Sequence, residues 1–410
     1  MDSKRLEVVM QRTKRLLDNA KTFQSTEESF QFDQADLKRQ LQQISNQLHR
    51  GRIQSLKNKR IVCSVLGACV RMSSSNSTII HKEIKQGSFD VIVFEEGGFV
   101  TLAEALEILP YFSSCIVAGD HLQLPPVVKT EEAKRLGYDK SFMEYVVEKL
   151  PSRHFLLETQ YRSHFMISGW SSRVLYESRL KAGRRNKNIR LADSYDRGCS
   201  TLRNNPLIWL DHAGLGYNEG HDDVPDSHES YHNEHEAKLV ARMYDHFRSE
   251  MGIPESEVGI ISCYWAQVAH IRQSLEEINP GYSSATVRTI DGYQGKEKDV
   301  IIVSMARSNL SWDLGMMDDV RRINVAITRA KRHCCLIGDS QTFSYDENYE
   351  ILLKGLKKKS CVVSLRSFQQ KMGDEGFDFG PVEIEQKFAE QRRIRREERN
   401  REKSGNIMSV

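Results

Sequence analysis

The sequence lacks several features that would by themselves define a class of protein. No apolar run in its 410 residues approaches the roughly 18 residues of a membrane-spanning helix, so no membrane span is predicted. The eight cysteines include no C-x-x-C pair, which argues against a disulfide framework and favours a reducing, cytosolic or nuclear setting. A net charge of only +3 excludes a uniformly basic nucleic-acid coat protein, so any basic surface must be local. The N-terminal segment also has no apolar core of the kind that signal peptides carry.

A further absence concerns phosphate binding. No segment of the sequence reads G-x-x-x-x-G-K-[ST], the glycine-rich loop (P-loop) that cradles phosphates in many nucleotide hydrolases. The one Gly-Lys pair, Gly295-Lys296, lies in a different kind of segment. Nucleotide chemistry in these 410 residues would therefore have to be recognised from other motifs.

From residue 61 onward, short apolar runs alternate with helical patterns. Many runs are rich in β-branched residues and bounded by Gly, Asp or Ser, which is typical of buried parallel strands. The pattern predicts an α/β fold with two parallel sheets, divided near residues 149–155, and with helices that include Glu234–Arg248 and Ala266–Ile278. The predicted strands are Ile61–Leu66, Asp90–Phe94, Cys115–Ala118, Leu207–Leu210, Val258–Ser262, Thr286–Ile290, Asp299–Ser304, Cys334–Ile337 and Cys361–Val363.

Three stretches have unusual charge. Residues 1–58 show helical periodicity, and residues 37–60 contain seven Lys/Arg without an acid, which indicates either a solvated helical face or a basic helical insertion beside a nucleic-acid path. Residues 219–236 contain seven Asp/Glu and no Lys or Arg, which predicts a solvated acidic loop. Residues 366–410 are predicted to form a charged, flexible tail.

Two predicted strands end in acidic loops. Glu95 and Glu96 follow an apolar strand, a layout in which one carboxylate holds Mg²⁺ and the other orients an attacking water. The next predicted strand is followed by Gly119-Asp120 and by Gln123, whose amide can contact a phosphate or a water. Each pattern is also common at ordinary strand ends. Because the carboxyl ends of parallel strands meet at one edge of a sheet, the two loops are predicted to be neighbours.

Three later segments carry side chains suited to nucleotides. QYRSH at residues 160–164 contains Tyr161, which can stack on a base, and Arg162, which can stabilise charge on a transferred phosphoryl group. DGYQGKEKD at residues 291–299 has glycines that let backbone amides approach a phosphate. RRINVAITRAKR at residues 321–332 is predicted to be a basic helix. Taken singly, each segment is equally typical of a surface turn or a solvated helix.

Together and in this order, the segments resemble the motifs of superfamily 1 helicases. The wording of GDHLQLPP, QYRSH, TIDGYQGKEKDVIIVS and RRINVAITRAKRH is most similar to the 5′→3′ branch that contains the nonsense-mediated-decay helicase and the immunoglobulin-mu-binding helicase. CSVLGA at residues 63–68 and IISCYWAQVAHIR at residues 260–272 resemble two further segments of the family. The resemblance covers roughly residues 30–365.

The resemblance implies two RecA-like domains, with ATP and Mg²⁺ in the cleft between them and single-stranded RNA or DNA across their top. Residues 1–58 would be a helical insertion of the first domain, 59–150 its later part, 151–365 the second domain and 366–410 a tail. The first domain would then be incomplete at its N-terminus. ATP would close the cleft and hydrolysis would reopen it, which drives translocation along one strand by a monomeric core.

The resemblance also implies roles for individual residues. Glu96 would be the catalytic carboxylate and Gln123 the phosphate sensor. Arg162 and Arg329 would be the two arginine fingers. The resemblance places contacts with the nucleotide or Mg²⁺ on Glu95, Asp120, Tyr161, Gly295 and Glu297. Of these, Glu95 would hold the metal and Tyr161 would contact adenine. Nucleic-acid contacts fall on Ser64, Tyr264 and Thr289.

The sequence departs from the family pattern in two important ways. The P-loop, which in the family lies upstream of these motifs, is missing, and Glu95 stands where the family has Asp, which moves the carboxylate by about 1.5 Å. Ser163, Phe165 and Cys263 are milder departures, from Met, Pro and Pro respectively. Three hypotheses follow: part of an active helicase, a non-catalytic nucleic-acid-binding scaffold, or a chain that a separate polypeptide completes. Cytoplasmic or nuclear residence is expected, with RRIRR at residues 392–396 as a weak nuclear signal.

Two smaller features have alternative interpretations. Residues 179–190 contain six Lys/Arg and no acid, which indicates either a nucleic-acid surface or, more commonly, a solvated loop. Four histidines lie among the acids of residues 219–236, at 221, 228, 232 and 235. Their spacing is not a recognised structural zinc pattern, so a solvated loop is predicted there rather than a metal site.

Overall fold

The computed structural model describes residues 59–67, 89–222 and 230–372, with isolated positions at 43 and 394. The chain divides into two compact units. Within the described ranges, the first unit holds the residues up to His121 together with Pro125–His154, and the second holds Leu122–Leu124 and the residues from Phe155 onward. Apart from a few positions, the predicted helical region 1–58 and the predicted tail lie outside the described residues.

The first unit contains a pair of parallel strands covered by helices. Strands β1 (Phe89–Phe94) and β2 (Phe112–Val117) pair with Phe94 opposite Val117. The helices are α1 (Leu102–Ile108), α2 (Glu131–Arg135) and α3 (Phe142–Lys149). Thr101 begins α1 with a capping box to Glu104, which satisfies backbone N–H groups at that helix end.

The strand pair buries only one of its faces among the described residues. The core consists of Phe94, Val100, Ala105, Ile108 and Phe142. On the other face, Val91 is 47% exposed and Val93 is 54% exposed. The prediction of a fully buried strand is therefore wrong here, because side chains alternate between the two faces and α1 and α3 supply core partners for one face.

The prediction of a strand at Ile61–Leu66 is also wrong. Residues 61–65 have no regular structure and residues 66–67 are helical. Ile61 is 83% exposed and Val65 is 72% exposed. A β-branched run forms a strand only where a neighbouring strand accepts and donates its backbone hydrogen bonds, and no strand in the described ranges pairs with this segment.

The second unit is built on a six-stranded parallel sheet. Its strands are β5 (Leu207–Asp211), β8 (Val258–Ser262), β9 (Thr286–Thr289), β10 (Lys298–Ser304), β11 (Ala330–Gly338) and β12 (Val362–Ser364). Their order in the sheet is β12-β5-β11-β10-β8-β9, and all neighbouring strands are parallel. The predicted α/β class with parallel strands is confirmed. The six predicted strands of this unit are also confirmed, although β11 begins four residues earlier than predicted, at Ala330.

Helices and two short strand pairs complete the second unit. The short strands are β3 (Thr159–Gln160) with β4 (Lys181–Ala182), in parallel, and β6 (Gly220–Asp222) with β7 (Ser230–His232), antiparallel. The helices are α4 (Phe165–Leu175), α5 (Ser200–Asn204), α6 (Glu234–Asp245), α7 (Trp265–Ile278), α8 (Val320–Thr328), α9 (Ser340–Phe343), α10 (Glu347–Lys357) and α11 (Leu365–Met372). A turn of π-helix, His246–Glu250, continues α6. In the described part of the chain, no helix is both long enough and apolar enough to cross a membrane.

The described residues of the acidic stretch 219–236, which are 219–222 and 230–236, do not form the solvated loop that its composition predicts. Its described residues form β6, β7 and the start of α6. Glu236 is completely buried, and Glu219 forms an ion pair with buried Arg307 at 3.0 Å. Partners from distant parts of the chain neutralise these acids, and a count of charges along the sequence does not reveal such partners.

Candidate functional site

In the first unit, glycines bring the two acidic loops into contact. Glu95 and Glu96 follow β1 and are exposed. Glu96 adopts a left-handed backbone conformation, with φ of 53°. The next residue, Gly97, donates its N–H to the carbonyl of Ala118 at 2.8 Å. A Cβ on Gly98 would lie 2.6 Å from the carbonyl oxygen of Asp120, so only glycine allows this approach. The structure thus places the acidic pair beside Asp120, as predicted for adjacent parallel strands.

The donor set at this edge fits Mg²⁺. The exposed carboxylates of Glu95 and Glu96 are hard oxygen ligands of the kind that Mg²⁺ prefers, and both lie at the carboxyl end of a parallel strand. Glu95 and the adjacent Glu96 are therefore residues that could hold such an ion. Both side chains are open to solvent, which suits an ion that keeps several of its waters.

In the second unit, the QYRSH segment is held by the side chain of Gln160. Its Oε1 accepts hydrogen bonds from the N–H groups of Arg162 and Ser163, both at 2.9 Å. Its Nε2 donates to the carbonyl of Ser163 at 2.8 Å, and buried Asn186 donates to the same carbonyl at 2.7 Å. The turn therefore projects Tyr161 and Arg162 from a fixed base.

Tyr161 lies directly over a glycine of the basic stretch 179–190. Tyr161 is 75% exposed, and a Cβ on buried Gly183 would lie 2.6 Å from its ring. The basic stretch is thus partly structural, since Gly183 and Asn186 support the QYRSH turn, while Arg184 and Lys187 remain exposed. The exposed ring is available to stack on a planar group.

The same turn is joined to the start of β11. Ser163 donates its hydroxyl to the carbonyl of Ala330 at 2.6 Å, and the His164 N–H donates to the carbonyl of Lys331 at 3.0 Å. These bonds bring the QYRSH segment next to the basic helix α8 and to Arg329. Two motifs separated by more than 160 residues therefore form one structural element.

Arg162, Glu297 and Lys331 form an ionic cluster from three different motifs. Arg162 Nε lies 2.5 Å from Glu297 Oε2, and Lys331 Nζ lies 3.3 Å from Glu297 Oε1. Partial burial raises the pKa of Glu297, but the hydrogen bonds and charges of Arg162 and Lys331 outweigh burial and lower it. Glu297 is therefore ionised at neutral pH and holds two cations at the surface.

Arg329 and Gln123 meet in the second unit. Arg329 is 3% exposed and donates through Nε to the carbonyl of Val325 at 3.1 Å. Its Nη2 donates to Gln123 Oε1 at 3.3 Å, and Gln123 belongs to the short segment Leu122–Leu124 of this unit. The predicted phosphate sensor and one predicted arginine finger therefore contact each other directly.

Gly295 occupies an exposed loop that also carries Glu297 of the ionic cluster. Its φ is +73°, a conformation that favours glycine, and a Cβ there would meet no atom within 4 Å. In the same loop, Asp291 pairs with Arg322 of α8 at 2.8 Å. The loop therefore presents open backbone next to Glu297.

The three predicted nucleic-acid residues differ in accessibility. Ser64 is exposed. Tyr264 is 1% exposed, and its hydroxyl donates to the carbonyl of Leu314 at 3.2 Å, so its ring is not accessible to a base. Thr289 is 5% exposed and accepts the N–H of Gly292 at 3.2 Å. Beside Tyr264, the ring of Trp265 is 68% exposed at the start of α7 and is the accessible aromatic group in this segment.

Several supporting residues were missed by sequence reasoning. Gln160 lies inside a recognised motif, but its hydrogen bonds to the following backbone give it a structural role that the motif wording does not state. Lys331 was expected to meet phosphates from a helix, whereas it lies on β11 and pairs with Glu297. Gly183 and Asn186 carried no sequence signal, because their role depends on contacts with a turn more than 20 residues away.

Two family models and several curated relatives match this sequence. A family model described as an AAA domain matches residues 138–341, and a second model with the same description matches residues 2–131. The DNA-binding protein SMUBP-2 of Mesocricetus auratus is 33% identical over 304 residues, which are 72% of this chain and 30% of that protein. An uncharacterized ATP-dependent helicase of Methanocaldococcus jannaschii is 31% identical over 307 residues, 73% of this chain and 43% of that protein.

Other comparisons extend this picture. A regulator of nonsense transcripts 1 homolog of Neurospora crassa is 31% identical over 268 residues, 64% of this chain and 24% of that protein. This chain thus spans between 24% and 43% of the length of these three relatives. Among solved structures, the helicase nsp10 of PRRSV aligns with 60% of this chain and 35% of its own, at 15% identity. The TM-score of that alignment is 0.18, too low to compare folds.

Both AAA-domain matches lie on the segments that carry the ordered motifs. Together with the helicase relatives, these matches show that the chain belongs to the superfamily 1 helicases, in the DNA2/NAM7-like branch.

Proposed function

We propose that this chain serves as the motor of a nucleic-acid-dependent ATPase that translocates 5′→3′ along single-stranded RNA or DNA. One observation carries the proposal. Three separate motifs contribute Arg162, Glu297 and Lys331 to one cluster. The charged nitrogens of Arg162 and Lys331 each lie within 3.3 Å of a carboxylate oxygen of Glu297. Such a concentration of cations, with a flat exposed tyrosine on the same turn, suits a nucleoside triphosphate.

The cations of the cluster would act on the transferred phosphoryl group. In phosphoryl transfer, negative charge spreads over the phosphate oxygens, and arginine side chains stabilise it. Arg162 and Arg329 each donate to a backbone carbonyl, that of Thr328 and that of Val325 respectively, which fixes their positions. Without a nucleotide, Glu297 pairs with both Arg162 and Lys331 and balances one of their two positive charges. The phosphates of a bound nucleotide would compete for the same cations.

The remaining roles follow from exposure and chemistry. Tyr161 would stack on adenine with its free face, since Gly183 lies beneath the other side of the ring. Glu96 would accept a proton from the attacking water, and Glu95 would hold Mg²⁺. When bound, that ion supplies charge neutralisation for the phosphate oxygens. Gln123 is the amide placed to contact the γ-phosphate or the water.

Trp265 and Ser64 are the exposed groups proposed to contact nucleic acid. Trp265 follows the carboxyl end of β8, where ligands of parallel sheets bind. Base stacking on an aromatic ring tolerates any sequence, and the phosphate backbone would add a salt-dependent contribution. Trp265 therefore takes the role that the sequence assigned to Tyr264, whose ring is buried.

The 410-residue polypeptide by itself is proposed to be inactive in hydrolysis. No residue in it supplies the G-x-x-x-x-G-K-[ST] lysine that would grip the β- and γ-phosphates, and Glu95 replaces an aspartate. The alternative function is a nucleic-acid-binding scaffold without ATPase activity, which the same two departures favour. A separate polypeptide that completes the site is the third candidate.

The decisive experiment measures ATP hydrolysis with and without single-stranded RNA or DNA. The purified chain is compared with a chimera in which the P-loop segment of a helicase relative precedes it. We expect no stimulated turnover by the chain and stimulated turnover by the chimera. Arg329→Ala in the chimera should abolish that turnover, since removal of one arginine finger costs about 10³-fold or more.

Arg173→Ala is the matched control, because Arg173 is an exposed arginine on α4 outside the motifs. It should leave turnover within about twofold, as expected for a surface substitution of small energetic effect. A chimera that binds single strands, hydrolyses no ATP and shows no effect of ATP on its affinity would support the scaffold function instead.

A further inference from the structure

A cluster of two histidines and one aspartate lies on the β6–β7 hairpin and α7. The side chains are those of Asp222 on β6, His232 on β7 and His270 on α7. Each offers one ligand atom, and the three atoms lie within 4.8 Å of one another. None of these residues belongs to the candidate nucleotide site described above, although His270 lies in the family-like segment at residues 260–272.

The pairing of the hairpin explains why the side chains converge. Gly220 is opposite His232, and Asp222 is opposite Ser230. Because side chains alternate between the faces of a strand, Asp222 and His232 lie on one face, while His221 and Tyr231 lie on the other. Ser230 accepts the N–H of Ala266 at 2.9 Å, which fixes the hairpin against the first turn of α7.

His270 stacks directly on His232. Their ring centroids are 4.2 Å apart, with an angle of 17° between the planes. A Cβ on Gly220 would lie 2.8 Å from His232 Nε2, so the space that His232 occupies depends on glycine at that position. His232 is therefore in contact with both Gly220 and His270.

The distances within the cluster are those of shared ligands rather than of hydrogen bonds. His232 Nδ1 lies 3.5 Å from Asp222 Oδ1, and His270 Nε2 lies 3.7 Å from Asp222 Oδ2. Hydrogen bonds between such groups are shorter, at about 2.7–3.2 Å. Two ligands on a tetrahedral ion with bonds of about 2.0–2.1 Å are about 3.3 Å apart, close to the observed values.

His232 also has an unsatisfied polar atom. Its Nδ1 is buried and has no hydrogen-bond partner among the described residues. A buried ring nitrogen of this kind is satisfied by a hydrogen-bond partner, as donor or acceptor, or by a metal ion. The side chain of Asp222 is 49% exposed and that of His270 is 27% exposed, so an ion has access to the cluster from solvent.

We propose that Asp222, His232 and His270 bind a divalent transition-metal ion of the Zn²⁺ class. Two imidazoles and one carboxylate suit Zn²⁺, whereas Mg²⁺ and Ca²⁺ prefer oxygen ligands alone. Three protein ligands leave a fourth position for water, and the ion would fasten the β6–β7 hairpin to α7. The hairpin carries Tyr231 on its other face, where Arg307 lies 3.8 Å from the ring centroid. This site is independent of the proposed ATPase function.

The test uses the full 410-residue chain, treated with a chelator and then titrated with Co²⁺. We expect one equivalent to give the visible absorption of a nitrogen- and oxygen-ligated ion, without a thiolate charge-transfer band, and Zn²⁺ to displace it. His270→Gln and Asp222→Asn should each weaken Co²⁺ binding at least tenfold. His270 is partly exposed on a helix surface, so its variant is expected to fold, and far-UV circular dichroism checks this.

Two further variants make the test specific. His221→Gln is the matched control, since His221 lies on the opposite face of the same hairpin, and it should bind Co²⁺ as the original chain does. Gly220→Ala retains all three ligands but crowds His232, and it should also weaken binding. The proposal is overturned if His270→Gln binds as tightly as the original chain, if His221→Gln loses the site, or if the original chain gives no saturable Co²⁺ spectrum.

Discussion

Glu236 shows how one buried acid organises the second unit. Its Oε1 accepts the Ser304 hydroxyl at 2.5 Å and the Ala306 N–H at 2.8 Å, and its Oε2 lies 2.9 Å from His212 Nε2. Burial lowers the pKa of His212, but the hydrogen bond to Glu236 together with the charges of Glu236, Asp339 and Asp211 outweighs burial and raises it. The carboxylate thus links the end of β5, the start of α6 and the end of β10, at the sheet edge where ligand sites form.

Replacing Glu236 by alanine should strongly destabilise the second unit. The change leaves the His212 nitrogen, the Ser304 hydroxyl and the Ala306 N–H without their acceptor in a buried place. Removal of one partner from a buried charged network costs about 3–5 kcal/mol. The measurement is urea unfolding followed by far-UV circular dichroism. Glu234→Ala, an exposed acid in the first turn of the same helix, should cost less than about 1 kcal/mol. Equal losses in the two variants would contradict this account.

At the scale of elements, β8 depends on a glycine for its packing. Gly259 lies in the middle of β8, paired with Ile301 and Thr286 of the adjoining strands. A Cβ at this position would lie 1.9 Å from the hydroxyl oxygen of buried Tyr293. The glycine therefore makes room for the tyrosine of the Gly-Tyr-Gln-Gly loop and fixes where that loop leaves the sheet.

Gly259→Ala should destabilise the chain and displace Tyr293. Overpacking in a full core costs about 1–3 kcal/mol, and a contact this short places the change at the upper end. Gly355→Ala is the control, because a Cβ at that helical position meets no atom within 4 Å. It should stabilise the chain by about 0.5–1 kcal/mol, since alanine favours helix over glycine. The urea midpoints of the two variants should change in opposite directions, and the tyrosine fluorescence should change only in Gly259→Ala.

The strands of the second unit could be predicted because their signal is local. β8 and β10 are continuous β-branched runs between turn residues, and such runs form buried parallel strands. The run at Ile61–Leu66 has the same composition but no pairing strand among the described residues, so composition alone failed there. The residues of the ionic cluster were identified because they lie in segments that resemble family motifs, and not from hydrophobic periodicity.

The parts that could not be predicted depend on contacts between distant residues. Glu219 and Glu236 seemed solvated because their sequence neighbours are acidic. Their partners Arg307 and His212 lie 88 and 24 residues away. In the same way, His270 is separated from the histidines of the acidic stretch, so the histidine spacing gave no indication of a shared cluster. A sequence pattern identifies elements and motifs, whereas the partners of a charge are fixed by the tertiary fold.

For the whole molecule, buried histidines set the response to acid. His164, His246 and His333 each have a pKa lowered to about 4, primarily because burial disfavours the charged form. For His164 the charges of Arg190 and Lys359 lower it further. In the unfolded chain each of these groups would have its ordinary pKa near 6.5. The unfolded state therefore binds more protons than the folded state between about pH 4 and pH 6.5.

The sign of this difference predicts that stability is lost as pH falls. Each such histidine should cost about 2 kcal/mol of unfolding free energy between about pH 7 and pH 5. His212 has a raised pKa, so its contribution increases as pH falls towards 6.5, offsets part of the loss only near pH 7, and is complete below pH 6.5. Urea unfolding at the two pH values measures the total. His246→Gln should reduce the pH dependence by about one histidine's share, whereas His235→Gln, an exposed control on α6, should leave it unchanged. An unfolding free energy in the original chain that does not change over this range would show that these imidazoles reach solvent and are protonated without unfolding.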